Sequence, residues 1–148
     1  MSEKTLRSWF SKTLRKNKAH VQNIEDAYSI GVPDTNLCIN GRESWVECKF
    51  LKDWPKRATT PVKPSFRPGQ VPWLVNRSQA GGSCYVLIQI GADVLLFEGK
   101  AAWNLDLGIW NQTRFRAEAL AVGRKAVLRE FGIGMTREEE LAWLSMHM

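Results

Sequence analysis

The sequence predicts an α/β fold, a β-sheet core flanked by helices, and three stretches carry that expectation. Residues 34 to 39 and 42 to 50 are strand-like runs around Asn40-Gly41, and a helical run follows from Pro68. SCYVLIQI and DVLLFEG, at 83 to 90 and 93 to 99, then read as a second hairpin of the same sheet. With 148 residues, 44% hydrophobic and 24% charged, the chain can bury a core without disulfides or a structural metal, and one domain is expected over 1–148.

Taken in order, residues 3 to 17 set Leu6, Trp9, Phe10, Thr13 and Leu14 on one helical stripe, with Lys4, Ser8, Lys12 and Arg15 opposite. A helix docked by its apolar face is expected. Its basic face has two readings, a solvated surface or a phosphate-contacting one. After a short run from 20 to 24 comes GVPDTNLCINGRESWVECKF, residues 31 to 50, whose Asn-Gly pair is a strong hairpin signal because both turn residues must tolerate positive φ.

Residues 52 to 66 hold Pro55, Pro61 and Pro64 without periodicity, and a loop of that length is functional or mobile. The next helix is expected to hold Pro68 early, run through Gln70, Trp73, Leu74 and Arg77, and end at Gly81-Gly82, with Pro72 making its first turns irregular. Trp103 and Trp110 flank a loop-like stretch and are expected in the core. The run from 114 to 131 favours helix, and Thr136-Arg137-Glu138-Glu139 is a capping box opening a last helix to about Met146.

Several classes are disfavoured. No run approaches the ~18 apolar residues of a membrane span, and MSEKTLRSWFSK lacks the apolar core of a signal peptide, so a cytoplasmic protein without a membrane partner is expected. Cys38, Cys48 and Cys84 have no C-x-x-C spacing, and only His20 and His147 could join them, which argues against a zinc knuckle or disulfide framework. The formal charge of +6 favours polyanionic partners. Its placement says more: Lys4, Arg7, Lys12, Arg15, Lys16 and Lys18 crowd the start, and Lys52, Lys56, Arg57, Lys63 and Arg67 follow the hairpin.

The hairpin itself carries the chemistry. A two-residue turn at Asn40-Gly41 sets Ile39 opposite Arg42, Leu37 opposite Ser44, and Asp34 opposite Glu47. Opposed side chains share a sheet face with Cβ atoms about 4.5–5.5 Å apart, and like charges there destabilise unless a proton or cation compensates. Lys49, two residues from Glu47, lies on the same face. An oxygen-only pair of this kind suits Mg²⁺ or Mn²⁺, and a cation so held can bind a scissile phosphate, so phosphodiester hydrolysis is the expected reaction. Taken singly, Asp34 reads as a turn cap after Pro33, and Glu47 and Lys49 as surface residues of a half-exposed strand. Their juxtaposition favours the chemical reading.

Gly31-Val32-Pro33-Asp34, with Glu47-Cys48-Lys49 thirteen residues after the aspartate, resembles the signature of the PD-(D/E)XK nuclease superfamily. Among its branches the chain is most similar to the VRR-NUC and Holliday-junction-resolvase-like nucleases, which are common in phages. The resemblance covers about residues 19 to 98, and Gln70, Gly81-Gly82 and Tyr85-Val86-Leu87-Ile88 follow in the branch's order. It implies a restriction-endonuclease-like fold with a central mixed β-sheet. It also implies that Asp34, Glu47 and the main-chain carbonyl of Cys48 hold Mg²⁺ or Mn²⁺, that Lys49 assists the attacking water, and that Gln70 supports the site. Glu25 resembles an additional upstream acid, with Asp26 beside it as the alternative. DNA is the implied partner, and Lys52, Lys56, Arg57, Lys63 and Arg67 are candidate contacts to it. A homodimer is a further implied partner, because two symmetric cuts in a junction need two sites. The insertion at 52 to 66 is longer than the resemblance leads one to expect, and residues 99 to 148, read as a helical C-terminal part, match no known pattern.

Two functions therefore compete: a metal-dependent deoxyribonuclease, and a module on a nuclease-like fold that grips DNA without cutting it. A third, a structural protein with a fortuitous motif, predicts that amides at 34 and 47 would be tolerated. Trp54 could stack on an unpaired base or pack back on the domain, and His20 could touch DNA or be structural.

Overall fold

A computed structural model of the chain describes residues 1–24, 30–134, 136–138, 141, 142 and 145. Among these residues six strands form one mixed sheet in sequence order: β1 (His20–Asn23), β2 (Thr35–Ile39), β3 (Arg42–Leu51), β4 (Cys84–Ile90), β5 (Asp93–Glu98) and β6 (Ala121–Val122). β3 and β4 are parallel, and every other neighbouring pair is antiparallel. A parallel pair needs a crossover, which the loop after β3 and helix α2 (Gln70–Gln79) supply. Helices therefore flank a central mixed sheet, as expected.

Alternation along the strands sends side chains to two apolar layers. On one face Leu6, Phe10 and Leu14 of α1 (Glu3–Lys16), with Val127 of a late helix and Phe131, cover Leu37, Val46, Cys48 and Leu87. On the other, Leu74 of α2, Leu105 of α3 (Ala102–Leu107) and Phe115 of α4 (Gln112–Glu118) cover Val86, Ile88, Leu95 and Phe97. β4, buried at every position, is the apolar run that a strand covered on both faces requires. Helix α1 starts at Ser2, whose Oγ accepts the Thr5 N–H at 3.1 Å while Thr5 Oγ1 accepts the Ser2 N–H at 2.7 Å. This reciprocal cap fixes where the helix begins, and so where Glu3 sits.

Several expectations need correction. Pro68 lies in a turn before α2, which begins at Gln70; Pro72 occupies the helix's first turn, where a backbone N–H has no intrahelical partner, so that turn is regular. The run from 114 to 131 is not one helix. Leu120 and Gly123 donate backbone N–H groups to Leu96 and Val94 of β5 (2.8 and 2.7 Å), which pulls Ala121–Val122 into the sheet as β6 and leaves α5 (Arg124–Glu130) separate. The C-terminal part is thus not purely helical. Trp103 is 60% exposed on α3, a helix where a loop was expected, whereas Trp110 is buried. Part of the expected last helix, including Glu139 and Met146, lies outside the described residues.

Candidate active site

The geometry starts at the turn. Asn40 and Gly41 both take positive φ (52° and 77°), giving the tight hairpin turn that sets Ile39 opposite Arg42 and carries the register to Thr35 opposite Val46. One step further, Asp34 lies in a bend just before β2, beside Glu47. Its Oδ2 accepts the Cys48 N–H at 3.2 Å, its Oδ1 accepts the Thr35 hydroxyl at 3.0 Å, and Arg7 Nη1 stands 4.0 Å away. Glu47 and Lys49 leave β3 on one face, 3% and 4% exposed, with Lys49 Nζ 3.4 Å from Glu47 Oε2.

Gln70 meets them from the first turn of α2. Its Oε1 accepts Lys49 Nζ at 2.8 Å and the Arg67 N–H at 2.8 Å, and Phe66 lies under the ammonium, 4.9 Å from ring centre to Nζ. The helix start is placed by a close approach of backbones: a Cβ on Gly31 would fall 2.1 Å from the Gly69 carbonyl oxygen. The glycine of G-x-P-D thus has a steric reason to be one, since it lets the loop before Asp34 touch the loop before Gln70.

A third carboxylate arrives from α1. Glu3, in that helix's first turn, places an oxygen so that Glu3, Asp34 and Glu47 each offer one atom within 4.8 Å of the others. The sequence reading missed it, although a signal was present: Glu3 falls on the stripe of Leu6 and Phe10, an acid aligned with apolar positions. The upstream acid expected at Glu25, like its neighbour Asp26, lies outside the described residues.

Electrostatics follow from this crowding. Burial first, and then the Asp34 charge, push the Glu47 carboxyl up from 4.5 to about 7 against the lowering effect of Lys49. Asp34 is raised as well, by burial, opposed by the Cys48 N–H, the Thr35 hydroxyl and Arg7. Carboxylates held together at such a cost suit a shared hard cation, and the oxygen-only donor set of Glu3, Asp34 and Glu47 fits Mg²⁺ or Mn²⁺. The Cys48 side chain is excluded from that set because it points into the α1 layer.

The loop cations Lys52, Lys56, Arg57, Lys63 and Arg67 are all exposed, and none forms an ion pair among the described residues. Of these residues only Arg67 reaches the site, through its backbone N–H. The loop is pinned rather than free: Trp54 Nε1 donates to Asp93 Oδ2 at 2.7 Å, Gln112 Nε2 to the Pro55 carbonyl at 2.5 Å, and Val62 N–H to the Trp110 carbonyl at 2.8 Å. Trp54 packs back on Phe115 with Arg116 over its ring at 4.3 Å, so its face is not offered to a base. His20 is exposed at the start of β1.

No protein-family model matches the chain, and no curated protein does. Among solved structures it is similar to the 1.6 Å structure of Archaeoglobus fulgidus Hjc, a Holliday junction resolvase from an archaeal hyperthermophile. The identity is 17% and the TM-score 0.47, over 64% of this chain and 74% of that chain. At that level the likeness is loose, and the chemistry below rests on the hairpin and its neighbours alone. Among the described residues no helix is long and apolar enough to cross a membrane.

Proposed function

We propose that the chain is a phosphodiester hydrolase acting on DNA, and more specifically a divalent-metal-dependent endonuclease, either structure-selective or general. One observation carries the reading: Glu3, Asp34 and Glu47 converge beside a buried ammonium, Lys49, at a site where a module that only gripped phosphate would be repelled by its own acids. Glu3, Asp34, Glu47 and the Cys48 carbonyl would hold Mg²⁺ or Mn²⁺. Bound there, the ion supplies Lewis acidity at the scissile phosphate and a lowered pKa for a bound water.

The chain's own groups do the rest. An ammonium has three N–H donors; Gln70 Oε1 and Glu47 Oε2 engage two of Lys49's, and the third is left for the attacking water or a phosphate oxygen. Gln70 holds Lys49 by sharing its oxygen with the Arg67 N–H, which ties the ammonium to the end of the basic loop. Phe66 covers one side of Lys49 and excludes water there. Arg7 and Thr35 fix the Asp34 carboxylate. Lys52, Lys56, Arg57, Lys63 and Arg67 contact phosphates, and a homodimer is the assembly that paired cuts across a junction require.

The test is cleavage of labelled single strand, linear duplex, supercoiled plasmid, flap and four-way junction in Mg²⁺, Mn²⁺ and EDTA, with Asp34→Asn in parallel. Metal-dependent cutting that vanishes in Asp34→Asn is the expected result. Tight DNA binding with no cutting of any substrate would move the binding module ahead.

A further inference from the structure

The outer faces of α1 and α5 carry charge that the site does not use. Lys4, Lys12 and Lys16 of α1 and Lys125 of α5 are exposed and make no hydrogen bond or ion pair among the described residues. They share this with the loop cations after β3, whereas Lys100, Arg114 and Arg116 each have a carboxylate within 3.3 Å. The two helices adjoin, since Arg124 of α5 lies over the Trp9 ring of α1 at 5.2 Å and Phe10 meets Phe131 at 5.3 Å. Their acids point away from this surface. Glu3 belongs to the carboxylate cluster, and Glu130 lines a cavity at the other end of the sheet with Arg42 and Tyr85.

We infer that this face is a track for one duplex arm of the DNA substrate, running away from the cut. The inference rests on the nuclease reading, because the track's direction is set by Lys4 following directly on Glu3. From Lys4 to Lys16 the helix rises about 18 Å, at ~1.5 Å per residue, which matches about five base pairs at ~3.4 Å each. A duplex fits better than a looser polyanion because three of the cations are held on one rigid helix, Lys12 and Lys16 one turn apart and Lys4 about two turns before them. The half-buried Trp9, with Arg124 over its ring, marks the seam where the second helix joins the first.

The experiment measures duplex binding by fluorescence anisotropy in EDTA, where no cutting occurs, over a range of salt. Wild type is compared with the combined Lys4→Gln, Lys12→Gln, Lys16→Gln, Lys125→Gln variant and with the four arginine substitutions at the same positions; thermal melts check folding. Each phosphate contact contributes about 0.9 to the slope of log K against log salt, so the glutamine variant should bind with a slope shallower by about 3 to 4 and the arginine variant should keep it. An unchanged slope in the glutamine variant, with wild type binding normally, overturns the track and leaves the nuclease reading standing. Failure of wild type to bind DNA at all removes both. Anionic lipid vesicles run alongside should bind weakly; vesicles that compete with duplex for the same lysines would assign the face to a membrane and overturn the proposal.

Discussion

Replacing Glu47 by glutamine removes a charge without changing shape, and the structure sets the size of the effect. The Glu47 carboxyl is 3% exposed and titrates near 7 in the fold, against 4.5 in the unfolded chain. Below pH 4.5 both states are protonated and wild type resembles the amide. As pH rises towards 7 the unfolded chain has lost this proton while the folded chain retains it, so wild type loses stability, and above that the loss is complete. At about 1.4 kcal/mol per pH unit the total is about 3 kcal/mol. In EDTA, Glu47→Gln should therefore gain about 3 kcal/mol on wild type between about pH 4 and pH 8, which for a chain of this size is ~6–12 °C in Tm. Chemical denaturation and melting at both pH values measure it. A stability difference that stays flat across this range would show that Glu47 does not pay for its burial, and the account of the carboxylate cluster would fail with it. Adding Mn²⁺ at the higher pH should then stabilise wild type, by about 2.7 kcal/mol at a hundredfold excess over Kd, and leave the variant unmoved.

Three further outcomes follow from the same geometry. Gly31→Ala should cost at least about 2 kcal/mol in urea unfolding, since it combines a positive φ with a clash against backbone, whereas Gly41→Ala, with open space around its Cβ, should cost less. Gln70→Ala should lower kcat by about 10-fold or more with duplex affinity in EDTA unchanged, and Lys49→Ala by about 10²–10⁴; equal loss of binding would mean that Gln70 supports the loop instead. Neutralising Lys56, Arg57 and Lys63 together with alanine should make the salt slope of binding shallower by about 3 while sparing the chemical step at saturating DNA.

The hairpin was legible because a single dipeptide fixes it: once Asn40-Gly41 is a two-residue turn, the pairing of every residue back to Thr35 is arithmetic. Gln70 was placed by resemblance, and its bond to Lys49 is a tertiary fact that no local pattern encodes. Glu3 was missed because α1 was read for its apolar stripe, and the helix brings its first turn to the site only by docking Leu6 and Phe10 across the sheet. The break at residues 119 to 123 was missed because ladder bonds to β5 outweigh the helix preference of the flanking segments. The prolines of the 52 to 66 loop suggested freedom; Val62, which no periodicity marks, is a core residue that anchors it.

β3 alternates Val46 and Cys48 towards one layer with Glu47 and Lys49 towards the other. A slip of one residue in this strand would bury an acid and an ammonium among Leu6, Phe10 and Leu37 and leave a valine and a thiol where Lys49 now meets Gln70. No misregistered chain can therefore both bury its core and bring Glu47 beside Asp34. The same alternation that holds the core therefore holds the acids, so an error of pairing is lost at folding, before the carboxylate cluster can assemble.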